Sequence, residues 1–273
     1  VVVCTVVVFV ACLYFAVPIV WLIVAATKSG TQLFTTPGFA FGDIHLLSNL
    51  VDVSTYDGGI FWRWTLNSIL YSVGGGIATT FVCALTGYAL AMFRFRGRRI
   101  VTAIILGSML VPSTVLAQPT YTLLVGLGLD NTYWGVLLPT MVYCFGVLLC
   151  MIFAQASVPM ELIEAARLDG AGELRIFFTV GLRLMSTGLI TVLLFAFLGS
   201  WNSYLLPLLV ISDDSLMPLT VGLAGWNQAA NALAGLRILT IVGSFVSVVP
   251  IAIVFAALQR FWRNGLTAGS IRG

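Results

Sequence analysis

Two carboxylates three residues apart, Glu161 and Glu164, open the densest mixed group of ionisable side chains in the chain, with Arg167 and Asp169 close behind. At that spacing both lie on one face of a helix, and paired carboxylates are the residue types of general acid–base chemistry. Their setting points elsewhere. Ser157 is placed to cap and Pro159 suits a first helical turn, so the two glutamates fall where a helix N-terminus favours negative charge. No pocket-forming pattern surrounds them, and they read as helix-end charges. Other catalytic chemistries lack material. His45 is the only histidine, which argues against a histidine-based metal cluster or triad. Cys4, Cys12, Cys83, Cys144 and Cys150 all lie in apolar runs without Cys-x-x-Cys spacing, and read as small packed hydrophobes rather than as a disulfide framework or zinc site. The sequence has no Gly-x-x-x-x-Gly-Lys-Ser/Thr phosphate loop, so ATP binding by this chain is not expected. Gly74-Gly75-Gly76 lacks the following lysine and reads as a small-residue packing surface.

The carboxylates belong to a short helix, a turn and a second helix. Leu162, Ala165 and Ala166 share one face by i, i+3, i+4 spacing. Asp169-Gly170 supplies the turn, with Gly170 suited to a left-handed backbone. A second helix is expected from about Ala171, presenting Leu174, Phe177 and Phe178. Its small alanine face lets another protein approach closely, so the segment reads as a docking knob.

The elements that carry this knob are apolar. Of 273 residues 60% are hydrophobic and 8% charged, against roughly a quarter charged in soluble domains. The apolar residues fall in long runs, and about 20 residues suffice to span a bilayer. We expect an all-α polytopic membrane protein, a single transmembrane domain over 1–273. Its six spans are placed near 3–27, 65–93, 100–124 (interrupted at Pro112 and Pro119), 133–155, 185–211 and 238–258. The first run is longer than a signal-peptide core and lacks a cleavage site, so it reads as a retained span. The chain starts without Met, and a short polar segment is expected ahead of Val1. Arg94, Arg96, Arg98, Arg99, Arg167, Arg175, Arg183, Arg260, Arg263 and Arg272 fall on one side of this map, and Lys28, Arg63 and Arg237 on the other. The positive-inside rule makes the first side cytoplasmic, with both termini there. Residues 28–64 and 212–235 then become external loops, 156–183 a cytoplasmic loop and 259–273 a cytoplasmic tail. Directly against a span, the Arg94–Arg99 cluster reads as a cytoplasmic stop signal rather than a nucleic-acid patch.

No ionisable residue falls at the middle of any span on this map. Ion-coupled carriers usually place such groups there, which argues against a stand-alone secondary carrier. A membrane-embedded enzyme would need clustered His, Asp or Glu. Polar residues inside spans face protein or a wet cavity. Asn67, Gln118, Tyr121, Trp201, Asn202 and Tyr204 are therefore the candidates for a solute pathway, with Asn67 and Trp201 equally suited to interhelical contacts or interface anchoring. Pro119 is placed to open the helix beside Gln118 and Tyr121. Trp226 and Asn227 in the second external loop are candidates for the mouth of that pathway. Aromatic and amide side chains suit neutral sugars. Arg63 and Arg237 read as membrane-flanking anchors more readily than as anion ligands.

Glu164-Ala-Ala-Arg-Leu-Asp-Gly-Ala171 resembles the EAA loop of ABC importer permeases. Asn67-Ser68, Ser200-Trp-Asn-Ser-Tyr-Leu-Leu-Pro207 and Gly265-Leu-Thr-Ala-Gly-Ser-Ile-Arg-Gly273 are similar to the carbohydrate branch of that family, the maltose-permease (MalG) type. The chain departs from the family pattern at Leu182-Arg183, where a Leu-Pro is usual. The resemblance implies a type I importer permease fold in a bacterial plasma (inner) membrane. It makes Glu164, Ala165, Ala166, Asp169, Gly170 and Ala171 the coupling helix that sits in a cleft of an ATPase subunit. It implies a heterodimer with a second permease subunit, two ATPase subunits carrying ATP and Mg, and an extracytoplasmic substrate-binding protein. No cofactor or nucleic acid is expected on this chain. The cargo implied is an oligosaccharide or sugar derivative, with a polyol or glycerophosphodiester as the alternative.

Overall fold

Backbone polar groups in hydrocarbon must be satisfied within their own segment, and the computed structural model meets this with helices. Residues 2–233 and 235–269 are described, and no strand occurs among them. In chain order the helices are α1 (Val2–Thr27), α2 (Gln32–Thr35), α3 (Leu46–Thr55), α4 (Ile60–Ile69), α5 (Gly75–Met92), α6 (Arg98–Ser108), α7 (Ser113–Gly126), α8 (Tyr133–Thr140) and α9 (Cys144–Ser157). There follow α10 (Met160–Leu168), α11 (Glu173–Ile176), α12 (Leu182–Leu184), α13 (Ser186–Trp201), α14 (Leu205–Val210), α15 (Leu219–Ala229) and α16 (Gly235–Gly269). Two π-helical turns, Leu70–Gly74 and Phe177–Gly181, join α4 to α5 and α11 to α12. Three helical stretches are long and apolar enough to cross a membrane, and up to six if each bent helix pair is one span. Ser270–Gly273, with Arg272 and the end of the C-terminal motif, lie outside the described residues, as do the side chains of Arg260 and Arg263.

The chain divides into two compact units. The first comprises residues 1–65 and 219–251. The end of α1 is tied down by polar contacts. Lys28, 1% exposed, donates from Nζ to the Pro37 carbonyl at 2.7 Å. Asn49 Nδ2 donates to the carbonyls of Ala26 and Lys28, both at 2.9 Å. These bonds satisfy the orphan carbonyls of a helix C-terminus. Asp57, Gly58 and Gly59 all have positive φ and break the helical run between α3 and α4. Trp226 of α15 packs against Trp64, 4.9 Å between ring centroids, and against Tyr56 and Phe61. The segments 28–64 and 212–235 carry α2, α3, the start of α4 and α15 rather than open loops throughout.

The second unit comprises 66–218 and 252–273. Its core is α5 packed on α9 and α13, around Cys83, Ala84, Tyr88, Cys150, Ala154, Met185 and Val192. Glycine sets the closest approach: a Cβ on Gly87 would stand 2.5 Å from Cys150 Cβ and 2.7 Å from the Met151 backbone nitrogen. Gly75 and Gly76 are buried beside Leu137, Thr140 and Phe197, in keeping with a packing role. The third apolar run breaks only at Pro112, where α6 and α7 meet at 106°. Pro119 does not open the helix as expected. It lies inside α7, which tolerates the loss of one backbone bond.

Candidate functional site: an exposed helix–turn–helix and an uncharged cavity

Chain polarity and one glycine build the helix–turn–helix of residues 160–176. Ser157 does not cap it, being the last residue of α9, and Pro159 stands at the N-cap of α10 with extended backbone. At the other end α10 stops in a Schellman motif. The Ala171 N–H donates to the Ala166 carbonyl and the Gly170 N–H to that of Arg167, both at 3.0 Å, with Gly170 at φ +79°. A Cβ at Gly170 would meet nothing within 4 Å, so the glycine is there for backbone conformation alone. Arg167 bridges the turn, with Nε 2.7 Å from Glu173 Oε1 and Nη2 3.2 Å from Oε2. The Glu173 hydrogen bond pushes the Arg167 pKa above its ordinary value. Its guanidinium also stands 6.0 Å from the Phe93 ring centroid.

The element has an anchored side and a free side. Ile163, Ile176 and Phe177 are buried in the α5–α9 core. Leu162, Glu164, Ala165, Asp169 and Gly170 are exposed and Ala166 and Ala171 half-buried. Leu168 at 90% and Leu174 at 69% are the most exposed of its apolar side chains. The expected presentation of Phe177 is corrected. With α-helical backbone at φ −56°, Phe177 shares the buried flank of Ile176 and packs against Tyr88, while Phe178, one residue further round, stays outside. A Cβ on Gly181 would come within 2.8 Å of the Tyr88 ring, so this glycine lets the turn close on α5.

The second feature is a cavity of about 720 Å³ walled by α7, α8, α13 and α14. Its lining carries the hydroxyls of Ser113, Thr114, Thr120, Thr140, Ser203 and Tyr204 among apolar side chains, and no charged residue. Tyr204 is the one predicted pathway residue on this wall. Sequence reasoning passed over the serines and threonines, which singly look like ordinary helix residues; their helix-break positions at Pro112 and Ser203 were the available signal.

The remaining candidates are dispersed. Asn67 is buried, donating from Nδ2 to the carbonyls of Ser215 at 2.8 Å and Met217 at 3.0 Å, and accepting from Tyr133 Oη. Tyr71 Oη donates to the Leu216 carbonyl at 2.9 Å, so both side chains hold the 215–217 backbone. Trp201 is buried, stacked 5.8 Å from Phe197. Asn202 is exposed and donates to the Leu198 carbonyl. Gln118 is exposed off the cavity wall, and Tyr121 packs against the Tyr71 cluster. Trp226 is buried in the first unit, with Asn227 exposed next to it. A further clamp was missed: Asn131, at φ +51°, accepts from the N–H groups of Ser212 and Asp213. Asn tolerates the left-handed region.

Comparison with known proteins gives these features a context. Residues 83–264 match the family described as binding-protein-dependent transport system inner membrane component. The chain is 32% identical over 258 residues to the arabinooligosaccharides transport system permease protein AraQ of Halalkalibacterium halodurans, covering 94% of this chain and 91% of that one. It is 30% identical to the sn-glycerol-3-phosphate transport system permease protein UgpE of Salmonella typhi, covering 89% and 87%. The fold is similar to a solved bacterial ABC transporter involved in import of the acidic polysaccharide alginate, with a TM-score of 0.81, 26% identity and 95% of each chain covered. This chain therefore belongs to the family of binding-protein-dependent transport system inner membrane components, the non-enzymatic permease subunits of ABC importers.

Proposed function

We propose that this chain forms part of the pathway for a neutral oligosaccharide or sugar derivative, energised by a separate ATPase through alternating access. The observation that carries the reading is the exposed helix–turn–helix. Glu164 to Ala171 offers a free face on a rigid, core-anchored support, terminated by a glycine that no packing requires. In this reading the face docks into an ATPase subunit, where ATP and Mg reside. ATPase closure moves the helix, and the anchored Ile163, Ile176 and Phe177 pass the movement to α5 and α9. The full assembly is a heterodimer with a second permease subunit, two ATPases and an extracytoplasmic binding protein. Both termini and residues 156–183 face the cytoplasm, and residues 28–64 and 212–235 face the binding protein.

The uncharged, hydroxyl-lined cavity supports the choice of cargo. Hydroxyls exchange hydrogen bonds with a sugar without desolvating a charge. A polyol or glycerophosphodiester is the alternative suggested by the UgpE relative. An anionic cargo would call for basic residues, and the cavity lining has none. Tyr204 is the pathway residue best placed for it, with Gln118, Tyr121, Trp201 and Asn202 on the same chain segments.

The test is solute-stimulated ATP hydrolysis by the reconstituted complex, comparing wild type with Glu164→Lys. The variant is expected to fold and reach the membrane but to lose ATPase association and stimulation. Unchanged stimulation would remove the docking role from this helix.

A further inference from the structure

We propose that the Arg94–Arg99 corner is a binding site for the headgroup of an anionic phospholipid. The corner joins α5 to α6. Arg94, Arg96 and Arg99 are exposed, and Arg98 is half-buried. None of the four makes an ion pair among the described residues, where Arg167 pairs with Glu173. No acidic residue stands in the first turn of α6. The chain turns at Gly97, φ +90°, and the Arg98 N–H reaches back to the Phe95 carbonyl at 3.4 Å. The four arginines, with Phe95 and Ile100, line a shallow, open depression at this turn. Uncompensated guanidinium groups are matched to phosphate oxygens, which they engage in pairs.

The apolar neighbourhood selects the source of that phosphate. Phe95 is half exposed between two arginines, as suits an aromatic side chain at headgroup depth. Ile100 and Ile104, one helical turn apart on α6, are about two-thirds exposed, and Val101 and Leu106 are partly exposed, while Thr102 and Ile105 turn inward. An acyl chain has a surface to lie on directly beside a phosphate-binding corner. As the start of the third span, the shelf lies against hydrocarbon and holds the arginines at headgroup depth, within reach of a lipid phosphate. A topogenic charge cluster needs only positive charge; the proposed site also needs the turn at Gly97.

The experiment uses the assembled importer in nanodiscs of phosphatidylcholine containing 0 to 40 mol% phosphatidylglycerol. Retained lipid is counted by native mass spectrometry, and cysteine accessibility verifies membrane orientation for each variant. Wild type is expected to retain phosphatidylglycerol in preference to phosphatidylcholine. Arg96→Gln with Arg99→Gln is expected to weaken that retention roughly 25-fold, from the usual contribution of two basic groups at an anionic surface. Gly97→Val, which keeps every charge but strains a positive-φ position, is expected to weaken it as well. Equal retention of the two lipids by wild type would overturn the proposal. So would a double variant that retains phosphatidylglycerol like wild type, or a Gly97→Val protein that does so. Displacement of the lipid by millimolar inorganic phosphate would make the corner a free-anion site, and photo-crosslinking from position 96 to an ATPase subunit would make it a protein contact; either result refutes a lipid site. The outcome is independent of the cargo and of the docking helix.

Discussion

Replacing Gly170 isolates the turn that ends α10, the helix proposed to dock an ATPase. The position has φ +79°, and an added Cβ meets nothing within 4 Å. Side-chain packing is therefore unchanged, and the whole effect lies in backbone conformation. A non-glycine L-residue in this region costs about 1–2 kcal/mol, and that lowers the population of the turn by a factor of about 5–30. Asn tolerates the conformation better than Ala, and a β-branched Val is worst. The expected order of ATPase coupling is Gly, then Asn, then Ala, then Val. The assay is solute-stimulated ATP hydrolysis of the reconstituted complex, with ATPase association by affinity capture of the purified assembly. Thermal stability of the permease should change little across the series, because the turn is on the surface and its anchors Ile163 and Ile176 are untouched. A Val variant that couples like wild type would refute the argument that the turn geometry presents the docking face. A series that fell together with thermal stability would refute the claim that the effect is local.

Four further outcomes follow from the same structure. Gly87→Ala puts a Cβ against the backbone of α9, so it should destabilise the permease by about 1–3 kcal/mol. Gly76→Ala meets Phe197 at ordinary contact distance of 3.5 Å and should be near neutral. Fluorescence-detected melting of the two variants side by side tests the contrast. Asn67→Leu leaves the Ser215 and Met217 carbonyls without their donor, at a cost of about 1–3 kcal/mol; limited proteolysis should then cut first near 212–218. Leu168→Asp should abolish ATPase capture without shifting the melting temperature, since the side chain is 90% exposed. Tyr204→Ala should slow solute uptake while leaving ATPase capture intact, and equal loss of both would argue against a place in the pathway.

The docking turn was legible because it is local. Asp169-Gly170 after an alanine-rich helical run admits few conformations, and the Schellman bonds span only Ala166 to Ala171. The all-α architecture and the number of apolar runs were legible for a similar reason: a bilayer leaves the backbone few solutions. What the sequence concealed depends on partners distant along the chain. Asn67 stood out as a polar residue at the head of a span, yet its hydrogen-bond acceptor lies 148 positions away. Trp226 looked like a loop residue until Trp64 and Phe61 closed around it. The break at Pro112 rather than Pro119 was equally hidden, since both prolines carry the same local rule and only packing decides which one bends the chain.

Phe177 shows how a residue at the edge of a helical face can fall on its buried side. At about 100° per residue, Phe177 and Phe178 fall on opposite flanks of Leu174; Phe177 sits on the flank of buried Ile176 and enters the core, and Leu174 and Phe178 stay outside. The π turn Phe177–Gly181 also sets how tightly the docking element is bound to α5, because Tyr88 packs on both Phe177 and Gly181. In a transporter that moves solute by rocking helices, a docking face joined to the core by a flexible exposed loop would dissipate the motion. Burying Ile163, Ile176 and Phe177 on one side of the turn while exposing Leu162, Leu168 and Leu174 on the other makes the segment a lever with one fixed face. Helical spacing alone grouped Phe177 with Leu174 and Phe178 and missed this division; in the proposed mechanism the division lets force applied at Glu164 reach the spans.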